Sequence, residues 1–362
     1  NSADLNIRIE NESEIVFDLT ATLINAKKTT AMDTLVIELQ DLDIIQKMQL
    51  KQEALVALKR AYTHILWKLT GAEVLIDTTK LPEGEDVTLF FGPSTELPEL
   101  PMNAEVLGSV YTIGSNHTWS GDWTLSLKAM QTLQSKQVYL FLSQSPWQIL
   151  DLKPVDDIYE INVSQTSQVV FATVETPFSD VMGHWAERKI TYLNYKGILQ
   201  GYEQGVFKPQ DSITRAEFVS TLVRILKLTE TFGVEYIDVL PGNWYYEEVK
   251  LASTARIIEG DGNFQFRPNH QITREEAMVI IARVLTKYGS SEIQIDQLNE
   301  GSKGQEYSDW DTISPWAKQS VIACLDYQVI QGKSISQIAP QDDLLRAEVA
   351  EILSRLIQII PN

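Results

Sequence analysis

The 362 residues carry 30 basic and 49 acidic side chains, a formal charge of −19 and a pI near 4.6. That balance argues against nucleic acid and anionic membrane surfaces, polyanions that need a basic face. An apolar content of 44% with 22% charged residues is ordinary for globular protein, the length suits two or three domains, and the single cysteine excludes an internal disulfide.

From Ser2 to about Val174 the pattern alternates with period two. Strands are expected at Leu5 to Ile9, Ile15 to Leu23, Thr34 to Leu39, Val87 to Phe91, Glu105 to Ile113, Trp123 to Leu127, Gln137 to Leu142, Tyr159 to Val163 and Val169 to Thr173. Glu53 to Tyr62 places Leu55, Leu58 and Tyr62 on one side and reads as a short helix lying on a sheet. Ile65, Trp67 and Leu69 alternate before Gly71, and Val74 and Ile76 after it, so a hairpin turns there. This first region, 1–175, is expected to be mainly β and sandwich-like.

Past Pro177 the period becomes helical, and the stretch Ile213, Thr214, Arg215, Ala216, Glu217 returns in related form at Ile272 to Glu276 and Leu345 to Glu348. Each arginine stands 30 residues after a tryptophan: Trp185 and Arg215, Trp244 and Arg274, Trp316 and Arg346. Self-similarity at such a period signals stacked units that bury a shared core. Three units follow, 176–228, 236–288 and 306–360, joined by Thr229 to Glu235 and by the longer, polar connector Gly289 to Gln305.

Thr214 with Glu217, and Thr273 with Glu276, read as capping boxes that start a helix whose apolar face follows. Arginine between cap and box opposes the helix dipole, at a cost of about a few tenths of a kcal/mol. Two explanations fit its threefold recurrence. One is a receptor in which the guanidinium and free helix N–H groups take a carboxylate or phosphate; the other is an internal ion pair to one of the many acids.

Phe178, Ser179, Asp180, His184, Trp185, Ala186, Ile190, Gly197, Gly201, Tyr202, Gly205, Phe207, Pro209 and the stretch at Arg215 resemble an S-layer homology domain from end to end. The second unit keeps Asp238, Trp244, Gly260, Gly262, Phe266, Pro268 and Arg274, and the third keeps Tyr307, Ser308, Asp309, Trp316, Gly332, Pro340, Arg346 and Glu348. The resemblance covers about half the chain. It implies three helix–loop–helix repeats forming a pseudo-trimer whose grooves hold a secondary cell-wall polysaccharide, often one ending in a pyruvylated sugar. It also implies a secreted protein at the cell wall or surface layer, with the β domain as spacer or self-assembly unit.

On that reading Arg215, Arg274 and Arg346 capture the carboxylate. Trp185, Trp244 and Trp316 stack on sugar or else pack inward, Asp180, Asp238 and Asp309 hydrogen-bond, and Lys208 and Arg267 add positive contacts. The Arg346 site is expected to be the weakest, because Leu345 replaces the capping threonine and Ile338 and Ala339 replace an aromatic and a cation.

No catalytic signature emerges. His64, His117, His184 and His270 lack metal-ligand spacing, no phosphate loop or nucleophile elbow is present, and no cofactor is expected. No run of about 18 apolar residues spans a bilayer. Cys324 reads as a small buried hydrophobe. Trp119, Trp123 and Trp147 fit core packing or a sugar platform. A wall-tethered polysaccharide hydrolase and a carbohydrate-binding protein are the alternatives to a structural anchor, and a start at Asn1 fits a processed protein or a piece of a longer one.

Overall fold

A computed structural model describes residues 6–11, 14–19, 34–38, 45–69, 71–94, 100, 104–117, 123–128, 138–143, 148–150, 155–203, 205–230, 232, 235–289, 295, 298 and 306–360. The chain divides into two compact units, Asn1–Glu175 and Thr176–Asn362.

The first unit is built from β1 (Asn6–Asn11), β2 (Glu14–Leu19), β3 (Thr34–Glu38), β4 (Ile45–Leu50), α1 (Gln52–Ala61), β5 (His64–Leu69), β6 (Ala72–Asp77), β7 (Val87–Ser94), β8 (Ala104–Ser115), β9 (Trp123–Lys128), β10 (Val138–Leu142), β11 (Gln148–Leu150), β12 (Ile158–Val163) and β13 (Ser167–Val174). Eight strands form one sheet in the order β1-β2-β4-β7-β8-β13-β10-β11, and five form a second in the order β12-β9-β6-β5-β3.

The sheets meet through their apolar faces. Trp67 of β5 stands edge-on to Phe91 of β7 at 6.1 Å, and Tyr159 of β12 does the same to Phe171 of β13 at 5.1 Å. Gln46 is fully buried because it accepts the Trp67 indole N–H at 2.9 Å, which satisfies one of its polar atoms inside the core. Helix α1 buries Ala54, Leu55 and Leu58, and Asp86 closes its start by accepting from Gln52 N and Lys51 Nζ. The Lys51 hydrogen bond, foremost, holds the Asp86 carboxyl below the usual range. The sequence pattern does not reveal β4 or β11: buried Gln46 interrupts the apolar alternation of β4, and β11 has three residues.

In the second unit each repeat contributes two helices: α2 (Glu187–Tyr195) and α3 (Arg215–Leu226), α4 (Tyr246–Thr254) and α5 (Arg274–Tyr288), α6 (Lys318–Asp326) and α7 (Arg346–Ile359). The residue before each second-helix cap lies at the centre. Ile213 N donates to Leu344 O, Leu344 N to Ile272 O and Ile272 N to Ile213 O, at 2.9, 2.9 and 3.1 Å, so three buried backbones bond head to tail in a closed cycle. Helices α3, α5 and α7 radiate from that cycle and pack against first helices: α3 on α4, α5 on α6, α7 on α2. Of the connector 289–305, Ile295 is buried, and its carbonyl and that of Leu298 accept from Gln319; most of the connector lies outside the described residues.

Candidate functional site

The capping glutamates use their two oxygens for different ends. In Glu217, Oε2 accepts from Thr214 N at 2.9 Å while Oε1 faces Arg346 Nη1 at 3.5 Å. In Glu276, Oε2 caps Thr273 and Oε1 faces Arg215; in Glu348, Oε2 caps Leu345 N and Oε1 faces Arg274, both ion pairs at 3.4 Å. Each arginine thus reaches the glutamate of the next repeat, and the third reaches back to the first. The same guanidinium donates from Nε to a loop carbonyl of that next repeat: Arg215 to Phe266, Arg274 to Ile338 and Arg346 to Phe207, at 2.8 to 3.0 Å. Arg346 also lies over the Phe207 ring at 4.5 Å, a desolvated cation–π contact.

Of the two explanations for the recurring arginine, the geometry supplies an internal ion pair for each one, and the helix N-termini do not stand open to an anion. Arg274 and Arg346 are only 3% and 5% exposed. Burial, opposed first by Glu276 and Glu348, pulls the Arg215 and Arg274 guanidinia below their usual range, yet a guanidinium stays charged in protein. The helix N–H groups are occupied too: Arg215 and Ala216 donate to His270 and Pro268, Arg274 and Glu275 to Asp342 and Pro340, Arg346 and Ala347 to Asp211 and Pro209. A loop of the neighbouring repeat caps each helix, which offsets the dipole conflict. It also lets α7 begin at Arg346 although Leu345 has no side-chain acceptor.

Asp180, Asp238 and Asp309 each make hydrogen bonds within their own repeat. Both carboxylate oxygens of each accept backbone N–H groups, from Phe207 and Lys208, Phe266 and Arg267, Ile338 and Ala339, at 2.6 to 3.0 Å. The second donor of each pair has a φ of 55 to 59°, a left-handed conformation that costs a non-glycine residue energy and needs a tether. The aspartates are therefore loop clamps. Lys208 lies over the Tyr202 ring and near Asp211, and Arg267 is held by Asp261 through Nε and Nη2; both cations already have partners.

The tryptophans emerge outside. Each precedes its helix by two residues, and Trp185, Trp244 and Trp316 are 61, 58 and 60% exposed. Three grooves of one construction result. One gathers Arg215, Glu276 and Trp316 around a cavity of about 410 Å³; a second gathers Arg274, Glu348 and Trp185 around about 220 Å³; the third gathers Arg346, Glu217 and Trp244 around about 200 Å³. Every groove takes its ion-paired arginine, its glutamate and its tryptophan from three different repeats.

A second arginine in each groove escaped sequence reasoning. Arg224, Arg283 and Arg355 stand nine residues after Arg215, Arg274 and Arg346, partly exposed on the same helices, and each lines a groove. The fixed spacing was the available signal. Glu275, which replaces the alanine of the other repeats, was also missed: its carboxylate accepts from Ser314 N and Oγ and so fixes the turn that carries Trp316. Asn243 likewise holds its turn by accepting from Leu240 N, and the helices that follow these turns begin at Tyr246 and Lys318.

Elsewhere Trp123 is 1% exposed and cannot be a sugar platform, while Trp119 and Trp147 lie outside the described residues. Cys324 is buried against the Met278 carbonyl, and burial pushes its thiol well above the usual range. Among the described residues no cluster of metal-ligating side chains occurs, and no helix is long and apolar enough to cross a membrane.

The S-layer homology domain model matches residues 177–219, 238–278 and 306–350. The chain is 32% identical over 201 residues to the amylopullulanase of Thermoanaerobacterium thermosulfurigenes, covering 54% of this chain and 10% of that protein. It is 28% identical over 184 residues to the surface-layer 125 kDa protein of Lysinibacillus sphaericus (50% and 15%) and 27% identical over 181 residues to the S-layer protein of Bacillus thuringiensis subsp. finitimus (49% and 21%). The chain therefore spans a tenth to a fifth of the length of these relatives.

Proposed function

Because this chain carries three S-layer homology domains and is a cell-wall-associated surface protein, we propose that its repeats form a pseudo-trimer binding an anionic, pyruvylated secondary cell-wall polysaccharide. The β domain, 1–175, then acts as a spacer or surface-layer assembly unit. The observation that carries the reading is the threefold construction of the grooves, each with a tryptophan about 60% exposed beside arginines. A large aromatic ring left in solvent at three equivalent places offers a stacking face for sugar. The ion-paired Arg215, Arg274 and Arg346 hold the groove floor, and Arg224, Arg283 and Arg355 are the guanidinia that reach a ligand. No bond is made or broken by the repeats.

The test is sedimentation with purified wall sacculi before and after the secondary polymer is stripped. Binding that survives stripping overturns the polysaccharide reading. A second reading is favoured by the hydrolase among the relatives, the amylopullulanase: the repeats tether a polysaccharide hydrolase. Release of reducing sugar from wall or storage polysaccharide by the full chain would favour it, and ordered sheets on electron-microscope grids would favour lattice assembly.

A further inference from the structure

Arg224, Arg283 and Arg355 hold equivalent positions, but among the described residues only Arg224 faces no acid. Arg283 lies 2.6 Å from Glu259, and Arg355 lies 2.9 Å from Glu351 and also donates to Gln331. Arg224 donates from Nη1 to the Ile198 carbonyl at 3.0 Å, and among the described residues it meets no carboxylate at ion-pair distance. The acid of its groove, Glu217, is committed to the helix cap, to the Tyr202 hydroxyl at 2.9 Å and to Arg346.

The residue after the loop glycine sharpens the contrast, being Tyr202, Asp261 or Lys333 in the three repeats. Asp261 brings a carboxylate to the Arg215 groove, held below its usual range by the Asn263 N–H before all else and by Arg267. Lys333 brings a cation to the Arg274 groove but is paired with Asp342. Tyr202 brings a second aromatic surface, 41% exposed, to the groove that already holds Trp244.

We infer that the groove of Arg224, Arg346, Tyr202 and Trp244 is the one that captures the negative charge of the polymer, and that the other two contact uncharged sugar. The inference rests on the polysaccharide reading above. A carboxylate entering beside Arg224 finds open N–H donors on a planar fork. In the other grooves it must displace Glu259 or Glu351 and then face the displaced acid, which disfavours it through like charge. Two aromatic faces in the Arg224 groove also suit a sugar ring that carries the acid.

The experiment uses the full chain and two probes, a methyl N-acetylmannosaminide bearing a 4,6-pyruvate ketal and the same glycoside without it, in titration calorimetry. Sedimentation with sacculi runs in parallel. Arg224→Gln is expected to weaken the ketal probe about tenfold or more, Arg283→Gln and Arg355→Gln less than about threefold, and Arg224→Lys to fall between. Equal losses in all three Gln variants, or the largest loss at Arg283 or Arg355, would overturn the assignment. So would wild-type protein that binds sacculi but does not prefer the ketal probe, leaving the anchoring reading intact. Wild-type protein that ignores sacculi fails that reading itself and the inference with it. Thermal melting within a few degrees of wild type certifies that each variant is folded.

Discussion

Arg346 and Glu217 are 129 positions apart in the chain and 3.5 Å apart in the fold. Their contact joins the last repeat to the first, as Arg215–Glu276 and Arg274–Glu348 join the others. The recurring arginine between helix cap and glutamate is thereby explained: it serves the neighbouring repeat.

That assignment makes the arginines a matter of stability. Removing Arg274 or Arg346 from its ion pair leaves the other charge and two backbone acceptors unsatisfied, at about 3 kcal/mol or more. Arg274→Ala and Arg346→Ala should each lower the melting temperature of the repeat unit by several degrees, and Glu348→Gln should do so by less, since it keeps an acceptor. Thermal unfolding followed by circular dichroism measures this, and an unchanged Arg274→Ala melt would contradict the ring.

The tryptophans should separate binding from folding in the opposite sense. Trp244→Ala removes a side chain that is mostly in solvent, so stability should change by about 0.5 kcal/mol or less while sacculus binding falls. Loss of stability with unchanged binding would return the ring to a packing role.

Much of this was legible in the sequence. The cap residues, the helical apolar faces and the Trp-to-Arg spacing are local patterns and mark the repeats. The side on which a group acts is not local. Asp180 reads as a free hydrogen-bonding residue until Lys208, 28 positions on, is found at positive φ with its N–H on that carboxylate. The ranking of the grooves assumes that one repeat builds one groove, which the fold does not do. Ile338 and Ala339 belong to the repeat of Arg346, but the Ile338 carbonyl accepts from Arg274, so the departures of the third repeat are shared between two grooves.

The glycines of the repeat loops give a steric prediction. A Cβ on Gly201 would lie 2.2 Å from the Phe178 ring and 2.6 Å from the Val206 carbonyl, and one on Gly260 would lie 2.7 Å from the Gln265 carbonyl and 2.8 Å from Tyr236. Backbone cannot step aside as a side-chain tip can. Gly260→Ala should cost about 1 to 3 kcal/mol by overpacking, whereas Gly262→Ala, in open space, should show only the cost of its positive φ. Equal melts for the two variants would refute the close approach.

The first unit should fold when expressed alone as residues 1–175, because its two sheets and α1 bury a core of their own, from Leu35 to Phe171. A cooperative urea transition is expected. A fragment that binds hydrophobic dye and melts without cooperativity would mean that the core needs the repeats.

The third helix start offers a gain of stability. Leu345 has the extended backbone of a cap residue, φ −80° and ψ 148°, close to Thr214 at −78° and 159° and Thr273 at −77° and 160°. Its N–H already donates to Glu348 Oε2 at 3.0 Å, so half of a capping box is in place and only the side-chain acceptor is missing. Leu345→Thr supplies it without backbone adjustment, and the Glu348 N–H should take the new hydroxyl as Glu217 N takes Thr214 Oγ1 at 3.2 Å. The expected gain is about 1 kcal/mol, reduced by the apolar area that half-buried Leu345 gives up. Leu345→Ala sets the baseline, since it loses that area and gains no acceptor. Denaturant unfolding of the two variants should place Thr above Ala by about 1 kcal/mol. A Thr variant no more stable than Ala would mean that the Asp211 and Pro209 carbonyls, which already accept the first two N–H groups of α7, leave the side-chain cap nothing to add.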